Sequence, residues 1–204
     1  MRNKNMKILI ATKNQGKLNE IQDYFKSLNL LNFHNLFDSN LDFDVEETGV
    51  TYKENALIKA KAYHVNSFDF TLADDSGIEI PVISHLLGVK TRRFGAGEKA
   101  TDQEWLDYFL DFFKEYKDSD RTAYFKTVVC LYDQDNPLFF EGIVKGKIAK
   151  KQLCEIKKGI PLSSVFIPEG FDIAMSQLST SEKNNISHRA KALKKAHEYL
   201  ETII

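Results

Sequence analysis

Apolar residues recur along the chain in two patterns, short continuous runs and repeats of three to four positions. The apolar run from Ile8 to Ala11 predicts a buried strand over 7–11. Behind it an apolar residue recurs at the spacing of one helix face, at Leu18, Ile21, Phe25 and Leu28. Residues 33–45 mix Asn and Asp with apolar side chains, which predicts a loop with a weak strand.

Two capping boxes mark the starts of further helices. Thr51 precedes Glu54 by three residues, and Thr101 precedes Glu104 in the same way, so each pair can satisfy the first amides of a helix. The first of these helices carries apolar residues on one side, at Ala56, Leu57, Ala60 and Tyr63. The second carries an apolar, largely aromatic stripe that we interpret as core, at Trp105, Leu106, Phe109, Phe112, Phe113 and Tyr116.

The remaining patterns predict strands and a last helix. Residues 70–73 and 78–83 are expected to be short strands on either side of a Ser-Gly turn. Apolar runs at 123–132 and 138–144 flank a polar loop and predict a hairpin. A last helix is expected from 187 to 200. Strands interspersed with helices, together with a long hairpin, predict an α/β fold with a mixed sheet.

The charge of the chain is balanced. Its 204 residues include 28 Lys and Arg and 29 Asp and Glu, giving a formal net charge of −1. There is no overall field to attract nucleic acid or acidic lipid, so any bound anion needs a local cluster. No apolar run approaches the ~18 residues of a membrane span. Cys130 and Cys154 form no CxxC pair, and we interpret them as reduced thiols in one cytoplasmic domain covering 1–204.

The first candidate site is the turn Thr12-Lys13-Asn14-Gln15-Gly16-Lys17, between the first strand and the first helix. Amides at a helix start, a glycine and a lysine suit a phosphate group. The spacing of a Walker A loop is absent. An ordinary strand-to-helix turn is the alternative interpretation.

Carboxylates form the second and third candidates. Asp74 and Asp75 end a short apolar strand and are expected to point to opposite faces, so that one of them can bind Mg²⁺. The alternative is an Asx turn with two solvated carboxylates. The paired Glu46 and Glu47 lie in an acidic loop and can supply a second metal ligand. The alternative is an acidic loop before a capped helix. Asn55 and Lys59, four residues apart, share one face of that helix.

The fourth candidate is basic. His188 and Arg189 fall in the first turn of the last helix, where cations oppose the helix dipole, and Lys183 lies just upstream. A bound anion explains this arrangement, and a basic surface turn explains it equally well.

Four separated segments together resemble the inosine triphosphate pyrophosphatase family, in the same order along the chain. The segments are ATKNQGKLNE at 11–20, EETGVTYKENALIKA at 46–60, ADDSGIEI at 73–80 and SEKNNISHRAKAL at 181–193. The resemblance implies an elongated α/β fold with two lobes around a nucleotide cleft, and a homodimer. It also implies Mg²⁺-dependent hydrolysis of non-canonical purine nucleoside triphosphates to a monophosphate and pyrophosphate.

The resemblance also implies roles for individual residues. Asp75 would be the catalytic carboxylate and a metal ligand, and Glu47 the second metal ligand. The remaining positions would contact the nucleotide. Thr12, Asn14 and Lys17 would hold the phosphates, and Ser76 would touch the nucleotide. The base end and the phosphates of the cleft would be bound by Lys183, His188 and Arg189.

One segment departs from the family. There, Phe-Gly-Tyr-Asp-Pro usually precedes a stretch like 165–170 and lines the base pocket, whereas residues 160–164 here are Ile-Pro-Leu-Ser-Ser. The missing rings remove a stacking contact of about 1–3 kcal/mol. Base preference is therefore expected to be altered. A nucleotide-binding protein without turnover, a pyrophosphatase for other nucleotides and a phosphatase that releases orthophosphate remain as alternatives.

Overall fold

The computed structural model describes residues 6–26, 31–41, 43–97 and 99–203. Its described strands form a six-stranded sheet in the order β2-β1-β3-β4-β5-β6. The strands are β1 (Met6–Ile10), β2 (Leu31–Asn35), β3 (Phe70–Glu79), β4 (Thr122–Tyr132), β5 (Leu138–Ile148) and β6 (Phe166–Pro168). Strand β1 pairs in parallel with β2 and β3, whereas β5 and β6 are antiparallel, so the predicted mixed α/β fold is confirmed.

Five α-helices lie in the described part of the chain: α1 (Gln15–Phe25), α2 (Tyr52–Tyr63), α3 (Asp102–Phe113), α4 (Thr180–Ile186) and α5 (His188–Ile203). Both predicted capping boxes are present, at the starts of α2 and α3. A third, between Ser179 and Glu182, begins α4, which the sequence analysis did not predict. Leu28, predicted for the first helix, lies outside the described residues. None of the helices in the described ranges is long and apolar enough to span a membrane.

The predicted turn at Ser76 and Gly77 is wrong. Strand β3 runs without interruption from Phe70 to Glu79, so Asp74 and Asp75 lie inside a strand and not in an Asx turn. β3 lies between β1 and β4 in the sheet, and among the described residues β1 pairs with it only at 70–72. Continuation of the strand within the sheet outweighs the local turn preference of Ser-Gly. Residues 81–83, predicted as strand, form a short 3₁₀ turn that begins at Pro81.

The described chain divides into two compact units. The first comprises the described parts of Met1–Asp75, Thr127–Gly142 and His188–Ile204. Its two apolar clusters pack α1 and α5 with β1, and α2 with β1 and β3. The second unit comprises the described parts of Ser76–Lys126 and Ile143–Ser187. Its core contains the predicted aromatic stripe, with Trp105, Phe109 and Phe113 fully buried.

Candidate functional site

The turn after β1 is built as an N-terminal helix cap. Asn14 is the N-cap of α1, and its Oδ1 accepts a hydrogen bond from the Lys17 amide at 3.0 Å. The Asn14 amide donates to Thr12 Oγ1 at 3.2 Å. The amides of Gln15 and Gly16 belong to the first turn and point out of the helix start. The predicted turn from strand to helix is therefore present, and its binding of an anion stays a prediction.

Asp74 is the centre of a buried ion cluster. Its Oδ2 lies 3.2 Å from Lys17 Nζ and 2.7 Å from Nη1 of Arg189. Arg189 also contacts Glu20 through Nε at 3.1 Å. The cluster therefore joins α1, β3 and the start of α5 in the first unit.

Asp75 points to a second cluster that includes the acidic loop. Its Oδ2 accepts a hydrogen bond from Asn55 Nδ2 at 3.1 Å. Its Oδ1 lies 3.8 Å from Lys59 Nζ, and the same ammonium lies 3.1 Å from Glu47 Oε2. The two Asp side chains thus contact different partners, as the alternation of a strand predicts.

The environments of the two carboxylates separate their acidities. Burial alone raises the pKa of Asp74, but Lys17 and Arg189 outweigh it and hold this pKa well below its usual value. Burial prevails at Asp75 and raises the pKa of this carboxyl, although Lys59 and Lys17 act in the opposite direction. Asp74 is therefore a fixed anion, and Asp75 is the stronger base of the pair.

The basic turn at the start of α5 differs from its sequence interpretation. Burial, followed by the charge of Arg189, lowers the pKa of His188 to about 3, so the imidazole is neutral and the two residues are not a pair of cations. The counter-charges of Arg189 are protein carboxylates, Asp74 and Glu20. Neither a ligand anion nor solvent is needed to explain why Arg189 lies at the positive end of this helix.

The residues present fit a small divalent cation. Asp75 and Glu47 approach the same ammonium group, so their oxygens face a common point. Within the described ranges no group of three or more His, Cys, Asp and Glu side chains has metal-binding geometry. Mg²⁺ typically binds one or two protein carboxylates and completes its shell with water and substrate phosphates, which agrees with this donor set.

Two of the predicted substrate residues belong to the second unit. Ser76 follows Asp75 on β3 and is half-buried, and Lys183 lies buried on α4. Their contribution to the site stays a prediction. The divergent segment 160–164 is also in this unit, where Pro161–Ser164 form a buried 3₁₀ turn and Leu162 packs into the core.

Three site residues escaped the sequence analysis. Glu20 binds Arg189 across 169 positions, and Thr127 Oγ1 donates to the Asp75 carbonyl oxygen at 3.1 Å. Asn55 was noted only as a neighbour of Lys59 on its helix. The one signal that pointed to its role was that shared face, since Lys59 also contacts Asp75.

A mixed α/β sheet with two carboxylates in one strand, next to lysines and a capped helix start, is an arrangement typical of proteins that bind phosphorylated ligands. Comparison with known proteins narrows this class. The sequence model of the Ham1 family matches residues 8–199, and the chain belongs to the Ham1 family.

Relatives and solved structures agree with this assignment. The chain is 35% identical over 199 residues to a dITP/XTP pyrophosphatase of Nautilia profundicola, covering 97% of this chain and 99% of the relative. It is 37% identical over 197 residues to one from Malacoplasma penetrans, covering 96% and 98%. A HAM1 protein from Coxiella burnetii superposes with a TM-score of 0.80 at 33% identity, covering 97% of this chain and 99% of that one.

Proposed function

We propose that this chain hydrolyses non-canonical purine nucleoside triphosphates, such as ITP, dITP and XTP, to the monophosphate and pyrophosphate. The names of its relatives support the reaction and the substrate class. The observation that carries the proposal is the group of charged residues around Asp75. Lys59 contacts both Asp75 and Glu47, and Asp74, the preceding residue of β3, is paired with Lys17.

In the proposed reaction, each of these side chains has a separate role. Lys17 and the first amides of α1 bind and orient the phosphates. Asp75 and Glu47 would hold Mg²⁺, which when bound neutralises charge on the phosphate oxygens. Asp75, whose pKa is raised by burial, is the group we assign to orienting the attacking water and accepting its proton. Arg189 forms an ion pair with Asp74 and so helps to fix the position of the adjacent Asp75 on β3.

The test is a panel of ITP, XTP, deoxyuridine triphosphate and GTP with Mg²⁺, scored by the product formed. We expect pyrophosphate, and not orthophosphate, to be released first. Asp75→Asn is expected to lower kcat by about 10²–10⁴-fold, the usual contribution of a general base. Asp135→Asn makes the same change at an exposed position of the β4–β5 loop and is expected to be neutral. Equal rates in Asp75→Asn and the unsubstituted protein contradict the assignment.

Nucleotide binding without turnover is the second candidate, favoured by the buried, ring-free turn at Pro161–Ser164. Calorimetry separates the two: Mg²⁺-dependent binding of ITP with no product identifies a binding protein, and rapid turnover excludes it.

The proposed hydrolase is also a cytoplasmic homodimer, as the family resemblance implies. Light scattering on the purified protein checks the dimer.

A further inference from the structure

Asn55 is a buried polar residue whose side-chain amide forms hydrogen bonds through both its nitrogen and its oxygen. It is 1% exposed. Its Nδ2 donates to Asp75 Oδ2 at 3.1 Å, and its Oδ1 accepts from the Gly49 amide at 2.7 Å. It therefore connects the loop that carries Glu47 to the carboxylate on β3.

The contact with Gly49 determines which way the Asn55 amide faces. A backbone N–H can only donate, so the atom that faces Gly49 must be the carbonyl oxygen. The NH₂ group then faces Asp75, which is always an acceptor when ionised. The orientation of Asn55 follows from its two partners and does not depend on how its nitrogen and oxygen are distinguished.

Gly49 is required for this approach. A Cβ at this position would lie 2.6 Å from Asn55 Oδ1 and 2.7 Å from Glu54 Cβ. Either the loop or the Asn55 side chain would have to move. Since Glu47 lies two residues earlier in the same loop, this close contact also fixes the distance between the loop and the start of α2.

The hydrogen bond divides the two oxygens of Asp75 between separate tasks. Oδ2 is held by Asn55, while Oδ1 faces the Lys59 ammonium that also contacts Glu47. We propose that Asn55 is a positioning residue that binds Oδ2 of Asp75 and thereby directs Oδ1 toward the cation and the substrate. This inference rests on the proposed function for its catalytic part, whereas its metal-binding part stands independently.

The experiment measures metal binding and turnover separately. Metal-stripped, nucleotide-free protein is titrated with Mn²⁺ alone, a paramagnetic probe with a preference for oxygen ligands, and free Mn²⁺ is followed by electron paramagnetic resonance. Asn55→Ala removes the donor, and Asn136→Ala is the matched control at an exposed position of the β4–β5 loop. Kinetics with ITP and Mg²⁺ and an unfolding curve are recorded for each variant.

We expect Asn55→Ala to weaken Mn²⁺ binding and to lower kcat, each by about 10- to 100-fold, the usual effect of removing a partner of a metal-binding side chain. KM should change little, and Asn136→Ala should match the unsubstituted protein. If Asn55→Ala does not fold, Asn55→Ser is measured in its place, because the short hydroxyl cannot span the same distance to Asp75.

Gly49→Ala provides an independent approach to the same contact. It keeps the Asn55 side chain but displaces its amide, so we expect a smaller loss in the same direction. In the Asn55→Ala background the same substitution should have less effect, because residues that act through one contact are not additive.

Two results would overturn the proposal: Mn²⁺ affinity and kcat that are unchanged in Asn55→Ala, or a lowered unfolding midpoint with normal kcat per folded molecule. Failure of the proposed function is a distinguishable result. In that case the unsubstituted protein releases no pyrophosphate, yet its Mn²⁺ binding still depends on Asn55.

Discussion

The two adjacent aspartates on β3 differ in the residues that surround them. Asp74 is bound by Lys17 and Arg189, whereas Asp75 is bound by the neutral amide of Asn55 and lies farther from Lys59. One carboxylate joins α1, β3 and α5 through ion pairs, and the other is the group to which the proposed function assigns the proton transfer. The two side chains have different partners because consecutive side chains of a strand point to opposite faces of the sheet.

His188 makes stability depend on pH. Its pKa is about 3 in the folded protein, against an ordinary value of 6.5, because it is buried next to Arg189. Between these values the unfolded chain binds a proton that the folded chain does not, so stability falls as the pH falls below about 6.5. We expect the unsubstituted protein to lose about 2 kcal/mol more than His188→Gln between about pH 7 and about pH 5.

Urea unfolding curves of both proteins at the two pH values measure this difference. The comparison uses the change in each protein, so any packing cost of the substitution cancels. Parallel losses in the two proteins would show that His188 is not the group responsible.

Individual site residues were predictable where local sequence fixes their placement. The place of Lys17 at the start of a helix could be predicted from the glycine-containing turn before it. The opposite orientations of Asp74 and Asp75 could be predicted from the geometry of a strand. Glu20 and Thr127 were not predictable, because their partners lie 169 and 52 positions away and depend on how the sheet is assembled. The neutral state of His188 escaped for the same reason, since its burial is a property of the packed molecule.

Helices with a clear apolar period and a capping box were predicted correctly, whereas the extent of β3 was not. Periodicity and capping boxes predicted α2 and α3 correctly. Ser76 and Gly77 suggested a turn, yet they continue a ten-residue strand inside the six-stranded sheet. Turn propensity is a local preference, and the sheet in which a strand lies overrides it.

The packing of β5 against α5 leads to a prediction at the same scale. A Cβ on Gly142 would lie 1.9 Å from the His188 carbonyl oxygen, so strand and helix backbones are in direct contact. Gly142→Ala is expected to cost about 1–3 kcal/mol and to shift the start of α5, which carries Arg189. We therefore expect kcat per folded molecule to fall as well.

Gly146→Ala is the matched control on the same strand. Its Cβ would lie 2.3 Å from the Ile167 carbonyl oxygen, in the second unit, so it introduces a comparable overlap away from Arg189. Unfolding curves and steady-state kinetics of both variants decide the matter. Equal losses of kcat in the two variants would refute a specific role for the contact at Gly142.

For the molecule as a whole, the cation is expected to serve the reaction and not the fold. Within the two units, the apolar clusters and the ion pairs of Asp74 join the described elements through contacts between side chains. Removing divalent cations with a chelator should therefore abolish pyrophosphate release but lower the thermal midpoint only by the small amount that the loss of one bound ligand causes. Added Mg²⁺ should restore turnover, and a large drop in the midpoint on chelation would contradict this expectation.

The route of the chain limits how the molecule can be taken apart. The first unit is assembled from three separate stretches, with Lys17 and Asp75 in one of them and Arg189 in another. No single truncation can isolate it. A cleavage in the exposed loop at 133–137 would leave Lys17 and Asp75 on one fragment and Arg189 on the other. Each half would be inert alone, so recovered pyrophosphate release on mixing the halves would report their reassembly.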